Sequence, residues 1–194
     1  MQLVLASSSP YRRTLLERLG HGFAVDAPDI DEGSLPGESP DELVARLSLE
    51  KARAVAARHP DALIIGSDQV ALFGSTILTK PGSPERAIEQ LTLMRGATAV
   101  FLTGICIVNT RTGRHRASIE RYAVTFRSLS DTAIARYVER DRPLDCAGGF
   151  RAEGLGIALF ERMEGDDPTS LVGLPLIRLV TMLAAEGLDV LGPV

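Results

Sequence analysis

The stretch LVLASSSPYRRTLLERLG, residues 3–20, decides the fold class, because an apolar strand turns directly into an amphipathic helix. We predict a short buried strand over Met1–Ala6. Ser9 is typical of a helix cap, and Pro10 suits the first helical turn. The helix is predicted over Tyr11–Leu19. A strand followed at once by a helix is the opening unit of an α/β fold.

The rest of the chain continues this alternation without a repeat or a low-complexity tract. We predict further helices over residues 39–59, 83–96, 130–140 and 175–187. We predict strands over residues 62–73, interrupted by a break, and an antiparallel hairpin over residues 98–109 and 117–129. The hairpin makes the sheet mixed. The fold class is therefore α/β, with a mixed sheet and flanking helices.

Length and composition exclude several classes of protein. With 194 residues, 45% of them hydrophobic, we expect one domain over residues 1–194. No apolar run is long enough for a membrane span, and the chain opens on a strand-like segment rather than a leader, so we expect a soluble, cytoplasmic protein with no membrane partner. A net charge of −4 argues against a nucleic-acid polymer as partner. Cys106 and Cys146 are interpreted as buried, inert thiols.

The segment SSSPYRR has the features of an anion site. The hydroxyls and amides of Ser7–Ser9 lie at the predicted helix N-terminus, where the helix dipole favours negative charge. Arg12 and Arg13 add forked donors that match phosphate oxygens. The alternative is a plain helix cap followed by two solvated arginines.

Two lysines add positive charge, one on the apolar face of a predicted helix and one after a predicted strand. Lys51 interrupts the apolar stripe of the helix over residues 39–59, as a residue of a phosphate-binding cleft would. The alternative is a side chain that extends along the apolar patch to the surface. Lys80, in LTKPG, follows a predicted strand and is either a second cleft cation or an exposed loop lysine.

Carboxylates occur where a ligand is expected. Asp68 and Gln69 follow the apolar pair in IIGSDQV, at the predicted strand end, where open α/β sheets bind ligands. Asp68 is suited to hold a divalent metal or to orient an attacking water. The alternative is a turn residue whose side chain hydrogen-bonds only to its own backbone. The acidic run Asp29–Glu32 either holds a divalent metal through its carboxylates or is a solvated loop. Glu153 is placed to accept from the donors of a guanine edge, or it is a surface carboxylate.

Common nucleotide and hydrolase signatures are missing. The sequence has no GxxxxGK[ST] and no complete GxGxxG, which weighs against a P-loop NTPase or a Rossmann dehydrogenase. Its three histidines are not linked to the other candidate residues, so a Ser-His-Asp hydrolase is poorly supported.

Taken together and in order, the motifs LASSSPYRR, EKA, IIGSDQV, TKP, CAGGFRAEG and LVGLPL resemble the Maf family of nucleoside triphosphate pyrophosphatases over nearly the whole chain. The resemblance implies an elongated mixed sheet with two lobes around a central cleft, similar to ITPase. It also implies hydrolysis between the α and β phosphates, a divalent metal cofactor such as Mg or Mn, and a homodimer.

The resemblance assigns roles to most of the candidate residues. It makes Asp68 the proton acceptor, Ser7 and Arg12 phosphate-binding residues, Lys51 and Lys80 cleft lysines, and Glu32 the acidic loop residue, and we predict that Ser7, Arg12, Lys51, Lys80 and Asp68 are the catalytic residues. From their chemistry we further predict that Glu32 and Asp68 hold the metal and that Ser9 and Arg13 bind phosphate at the helix N-terminus. The resemblance makes Tyr11, Gln69 and Glu153 the residues that select the substrate.

The SDQ and CAGGFRAEG motifs are most similar to the branch that hydrolyses 7-methyl-GTP. Tyr11 stands where the commoner motif has arginine, which fits a change of base preference. Two alternatives stay open: a pyrophosphatase for dTTP or UTP, and a nucleotide-binding regulator of cell division whose hydrolysis is incidental.

Overall fold

The chain folds into one mixed sheet with helices, as the sequence predicts. The structure is a computed structural model and describes residues 1–192. The strands in this range are β1 Gln2–Ala6, β2 Ala24–Val25, β3 Ala62–Phe73, β4 Thr76–Leu78, β5 Thr98–Asn109, β6 His115–Phe126 and β7 Phe160–Glu164. Within residues 1–192 these seven strands form one sheet in the order β2-β1-β3-β5-β6-β7, and β4 pairs with β3.

The pairing of the strands is both parallel and antiparallel. Strand β1 pairs in parallel with β2 and with β3. Strand β3 pairs antiparallel with β4, and β6 pairs antiparallel with β7. Neighbouring strands β5 and β6 are joined by the short connection 110–114, where the predicted hairpin turns. The prediction of a mixed α/β sheet is confirmed.

The α-helices within residues 1–192 are α1 Pro10–Glu17, α2 Pro40–Ala56, α3 Pro84–Met94, α4 Asp131–Asp141, α5 Thr169–Val172 and α6 Leu176–Ala185. Helices α1 to α4 begin directly after the predicted cap residues, whereas the short α5 is not among the predicted helices. The hydroxyls of Ser9, Ser39, Ser83 and Ser130 each accept a backbone N–H in the first turn of the following helix. Glu42 completes a capping box with Ser39. No helix within residues 1–192 has both the length and the apolar composition needed to cross a membrane.

The residues cluster into two compact units. Unit 1 comprises residues 1–69, 103–120 and the segment from Thr169 onward, and unit 2 comprises residues 70–102 and 121–168. Strands β3, β5 and β6 contribute residues to both. This division agrees with the expectation of two lobes.

Unit 1 buries apolar side chains on both faces of its strands. One cluster joins the strands to α1 and α6, and it includes Leu3, Leu15, Ile65, Ile105 and Leu179. The other joins them to α2, and it includes Val4, Ala52, Val55, Ile64 and Cys106. The strands of unit 1 are thus covered on both faces, as parallel strands usually are.

Unit 2 is built around an aromatic cluster. The rings of Phe101, Phe126, Phe150 and Phe160 pack edge to face, with centroids 5.0 to 5.5 Å apart. The segment before β7 is not extended throughout, because two 3-10 turns occupy residues 147–149 and 155–159.

Two predictions are wrong in detail. Strand β3 is continuous, so Gly66 is not a break and Asp68 lies inside the strand rather than beyond its end. The prediction of two buried thiols holds for Cys106, where burial raises the pKa to about 12. It fails for Cys146, which is only half-buried because it follows the exposed Asp145, whose Oδ1 its thiol meets at 3.5 Å.

Candidate functional site

Helix α2 lies unusually close to β3 and β5, and two glycines make this approach possible. A Cβ atom at Gly66 would lie 2.0 Å from the carbonyl oxygen of Ser48. A Cβ atom at Gly104 would lie 2.3 Å from the carbonyl oxygen of Val44. Neither distance is tolerated by real side chains, so only glycine fits at both strand positions. This contact fixes the height of α2 above the sheet, and hence the place of its only lysine, Lys51.

Lys51 joins the two predicted metal carboxylates. Its ammonium lies 2.7 Å from Asp68 Oδ1 and 3.0 Å from Glu32 Oε2. Lys51 and Asp68 are buried, whereas the Glu32 side chain is 59% exposed. The charge on this buried helix face thus belongs to a cluster of one cation and two anions, and the predicted phosphate contact of Lys51 stays a prediction. A side chain extended to the surface is ruled out, because the ammonium itself is shielded and paired.

Arg12 is fixed by the chain on both sides of its guanidinium. Nε donates to the carbonyl of Gly173 at 2.8 Å, and Nη1 makes a longer contact of 3.5 Å with Ser7 Oγ. Burial lowers the pKa of Arg12, while the charges of Asp68 and Glu32 act in the opposite direction. An arginine keeps its charge in spite of such burial. Arg12 therefore supplies a positive charge to the electrostatic field of the two carboxylates.

The opposite face of β3 is bonded to the segment before α6. Because side chains alternate along a strand, Ser67 and Gln69 point away from the face that carries Asp68. The Ser67 hydroxyl lies 2.8 Å from the carbonyl of Gly104 and 2.9 Å from that of Gly173. Gly173 thus accepts from Ser67 and from Arg12. This one carbonyl links Ser67 of β3 to Arg12 of α1.

Gln69, a predicted substrate-selecting residue, is bonded to the protein. Its Nε2 donates to Thr103 Oγ1 at 2.9 Å and to the carbonyls of Ser170 and Leu171 at 2.7 and 3.1 Å. The Thr103 hydroxyl donates to the same Ser170 carbonyl at 2.8 Å. Gln69 therefore holds the segment that presents Gly173 to Arg12.

The other predicted residues of α1 differ in their surroundings. Ser9 accepts from the amide of Arg12 at 3.4 Å and caps the helix, while its own amide donates to Ser7 Oγ at 3.1 Å. Tyr11 is half-buried in the first turn. Arg13 does not join the cluster, because its exposed guanidinium pairs with Glu17 at 3.0 Å.

Lys80 and Glu153 belong to unit 2. Lys80 is exposed, two residues after β4. Glu153 is exposed in the turn that precedes the 3-10 segment 155–159. Their predicted roles at the phosphates and the base stay predictions. The residues brought together in unit 1 are Ser7, Ser9, Arg12, Glu32, Lys51 and Asp68.

The donor set fits a metal that takes most of its ligands from elsewhere. Within residues 1–192, no three His, Cys, Asp or Glu side chains meet as a metal site. Glu32 and Asp68 each meet Lys51 through one oxygen, and within residues 1–192 Glu32 Oε1 and Asp68 Oδ2 accept no hydrogen bond. Mg²⁺ is commonly held by one or two carboxylates together with substrate phosphates and water. Two carboxylate oxygens that accept no hydrogen bond, beside the predicted phosphate-binding residues Arg12 and Lys51, match that pattern.

Two residues that shape the site are not among the predicted site residues. Ser67 and Thr103 are fully buried hydroxyls, and both bond to the segment Thr169–Gly173. Strand alternation around Asp68 points to Ser67, since a polar residue on the buried opposite face needs a partner. No comparable signal in the sequence identifies which carbonyls the two hydroxyls meet.

Known relatives match this chain along nearly its whole length, and a solved structure matches part of it. A 7-methyl-GTP pyrophosphatase of Nitrosococcus oceani is 55% identical over 189 residues, 97% of this chain and 95% of that protein. A 7-methyl-GTP pyrophosphatase of Aromatoleum aromaticum is 57% identical over 187 residues, 96% of each. Among solved structures, the Staphylococcus aureus Ham1 protein shares 18% identity, with a TM-score of 0.46 over 66% of this chain and 73% of that one.

The cluster of Arg12, Lys51, Glu32 and Asp68 lies entirely inside the part of the chain that a known family shares. Residues 2–186 match the family described as Maf-like protein. The match includes every predicted site residue of both units, and the relatives of more than 50% identity extend over the same range. The chain belongs to the Maf family.

Proposed function

We propose that this protein is a nucleotide pyrophosphatase that hydrolyses 7-methyl-GTP to 7-methyl-GMP and pyrophosphate. The observation that carries the proposal is the buried Lys51–Asp68 pair with Glu32 and Arg12 beside it. Two carboxylates and two cations at one place suit a reaction on a metal-bound polyphosphate. The choice of base rests on the relatives, which are named 7-methyl-GTP pyrophosphatases.

In this proposal, the cations hold the triphosphate. Arg12 offers a planar fork of donors, Lys51 a compact charge, and the amides and hydroxyls of Ser7–Ser9 surround the helix N-terminus. Lys80 of unit 2 is proposed as a further phosphate ligand. Catalysis of this kind depends on positioning and charge neutralisation rather than on covalent chemistry by the protein.

Asp68 is proposed to accept the proton of the attacking water. The Lys51 ammonium holds one of its oxygens at 2.7 Å and leaves the other free for a water. A divalent metal held by Glu32 and Asp68 would neutralise charge on the phosphates. Attack on the α phosphorus breaks the α–β bond, and pyrophosphate leaves with the electron pair.

The base would be recognised through its charge. Methylation at N7 gives guanine a positive charge, so stacking on Tyr11 gains a cation–π contribution of about 0.5–2 kcal/mol. Glu153 is proposed to complement this charge and accept from the guanine edge. Gln69, whose amide is bonded to the protein, would act on the substrate through the segment it holds.

A nucleotide panel tests the function. Pyrophosphate release is measured for 7-methyl-GTP, GTP, dTTP, UTP and CTP with Mg²⁺, and we expect the highest kcat/KM for 7-methyl-GTP. Preference for dTTP or UTP would favour the pyrimidine alternative, and no turnover of any nucleotide would favour a binding regulator.

Asp68→Asn should lower kcat by about 10²–10⁴-fold. Exposed Asp61→Asn, which removes only a surface pair with Arg111, should behave as wild type.

We also propose Mg²⁺ or Mn²⁺ as the cofactor and a homodimer, both supported by the family resemblance, and a cytoplasmic location, as expected from the sequence. Removal of the metal with EDTA should abolish pyrophosphate release, and re-addition of Mg²⁺ or Mn²⁺ should restore it. Sedimentation velocity on the purified chain decides between one and two copies.

A further inference from the structure

One arginine ties the acidic loop that carries Glu32 to helix α2. The guanidinium of Arg46 donates through Nε to Glu38 Oε1 at 2.6 Å and through Nη2 to Glu38 Oε2 at 2.8 Å. Nη2 also donates to the carbonyl of Gly33 at 2.9 Å, and Nη1 donates to Glu50 at 3.0 Å. Four of the five guanidinium N–H groups are thus used.

Arg46 contacts residues both within α2 and in the loop that precedes it. The pair with Glu50 is an ordinary i,i+4 helix pair. Glu38 and Gly33, in contrast, precede α2 by two and seven residues and belong to the loop. The Arg46 and Glu38 side chains are only 20% and 7% exposed, so solvent screens this bidentate pair less than a surface pair.

Glu38 extends the same contact along the loop. Its Oε2 accepts from the amide of Leu35 at 2.9 Å. The hydrogen bond from Arg46 lowers the pKa of Glu38 to about 2, so the carboxylate is charged at neutral pH. Two loop positions, Gly33 and Leu35, are therefore fixed to one arginine–glutamate pair. Glu32 is the residue directly before the first of them.

Helix α2 carries both the arginine that holds the loop and the lysine that meets Glu32. Arg46 holds the loop, and Lys51, five residues later on α2, receives Glu32 Oε2 at 3.0 Å. We propose that Arg46, with Glu38, is a positioning residue that sets the place of Glu32 in the phosphate and metal site. The inference rests on the proposed function, because Glu32 matters there as a carboxylate of that site.

The first test measures the loop without any activity. Hydrogen exchange is followed by mass spectrometry in peptides that cover residues 29–37 of the wild type, Arg46→Gln and Arg53→Gln. Arg53 is the matched control, because it is an exposed arginine of α2 with no hydrogen bond or ion pair within residues 1–192. We expect faster exchange in Arg46→Gln alone. Unchanged exchange in Arg46→Gln would overturn the inference.

The second test is a double-mutant cycle on kcat/KM with 7-methyl-GTP and Mg²⁺. We expect Arg46→Gln to lower kcat/KM by about 10- to 100-fold, as a displaced site residue does, and Arg53→Gln to leave it unchanged. If Arg46 acts through Glu32, the variant with both Arg46→Gln and Glu32→Gln is no slower than Glu32→Gln alone. Losses that multiply would contradict this, because a merely structural arginine has no reason to couple to Glu32.

The two tests separate the two hypotheses. A wild type that hydrolyses no nucleotide of the panel contradicts the proposed function, and the exchange experiment then decides by itself whether Arg46 holds the loop. An active wild type with unchanged loop exchange in Arg46→Gln leaves the function standing and removes the positioning role. Arg46→Lys keeps the charge without the fork, so exchange should fall between those of the wild type and Arg46→Gln.

Discussion

At the scale of single residues, the Lys51 ammonium is shared by two carboxylates, and this sharing explains a lysine on a buried helix face. One cation beside Asp68 and Glu32 keeps two negative side chains close together without a metal. In the proposed function, the same ammonium would also bind phosphate oxygens of the substrate. Lys51 would then have two roles, one in stability and one in substrate binding.

Removal of this ammonium should be costly for stability. Lys51→Met leaves Asp68 buried without its cation, so we expect the free energy of unfolding to fall by about 3–5 kcal/mol. Urea unfolding followed by circular dichroism measures the loss. The combination with Asp68→Asn should recover part of it, because the uncompensated charge is gone. A double variant as unstable as the sum of the two single variants would contradict the pairing.

Tyr11 is the residue whose replacement should change base preference. Loss of the ring in Tyr11→Ala removes the cation–π contribution, so the ratio of kcat/KM for 7-methyl-GTP over GTP should fall by about 2- to 30-fold. Tyr11→Phe keeps the ring and is the matched control, with the ratio unchanged. Steady-state pyrophosphate release measures both. An unaltered ratio in Tyr11→Ala would exclude stacking as the source of the preference.

At the scale of elements, the contact of α2 with β3 and β5 places the cluster. Gly66→Ala puts a methyl group 2.0 Å from the Ser48 carbonyl, so α2 must move away from the sheet. We expect a loss of about 1–3 kcal/mol, or more, in urea unfolding, together with lower kcat as Lys51 leaves Asp68. Gly22→Ala, where a Cβ meets nothing within 4 Å, is the control and should change neither. A fully stable, active Gly66→Ala would show that the contact is dispensable.

Much at this scale follows from the sequence. Serine caps with proline in the first turn mark the starts of α1, α2 and α3, because their hydrogen bonds are local. The ordered motifs predict the Maf family, which the comparison confirms. The error at Gly66 has a physical cause: a glycine in a strand indicates either a break or a close neighbour, and only the packing of α2 decides between them.

The site is predictable by residue type but not by contact. A buried lysine requires a negatively charged partner, and Asp68 and Glu32 are reasonable candidates. That Gln69 bonds the carbonyls of Ser170 and Leu171 has no signature in the sequence, because those carbonyls lie 101 and 102 residues away. Backbone acceptors are the same in every residue, so only the fold selects them.

At the scale of the whole molecule, acid should lower the stability of the chain over a defined range of pH. Hydrogen bonds from Arg58 and His59 lower the pKa of Asp26 from 3.8 to about 2, and one from Arg46 lowers that of Glu38 from 4.5 to about 2. The unfolded chain takes up these protons first. The stability from both groups is therefore complete above pH about 4.5 and is lost as the pH falls towards about 2.

Urea unfolding at a series of pH values from neutral to acid checks this expectation. The free energy of unfolding should decline most steeply between pH about 4.5 and about 2. Asp26→Asn and Glu38→Gln should each lower stability at neutral pH and flatten that decline, since neither side chain then binds a proton on unfolding. Asp61→Asn is the control, because it removes an exposed carboxylate with a surface pair and should leave the slope nearly unchanged. A slope as steep in Asp26→Asn and Glu38→Gln as in the wild type would assign acid unfolding to other carboxylates.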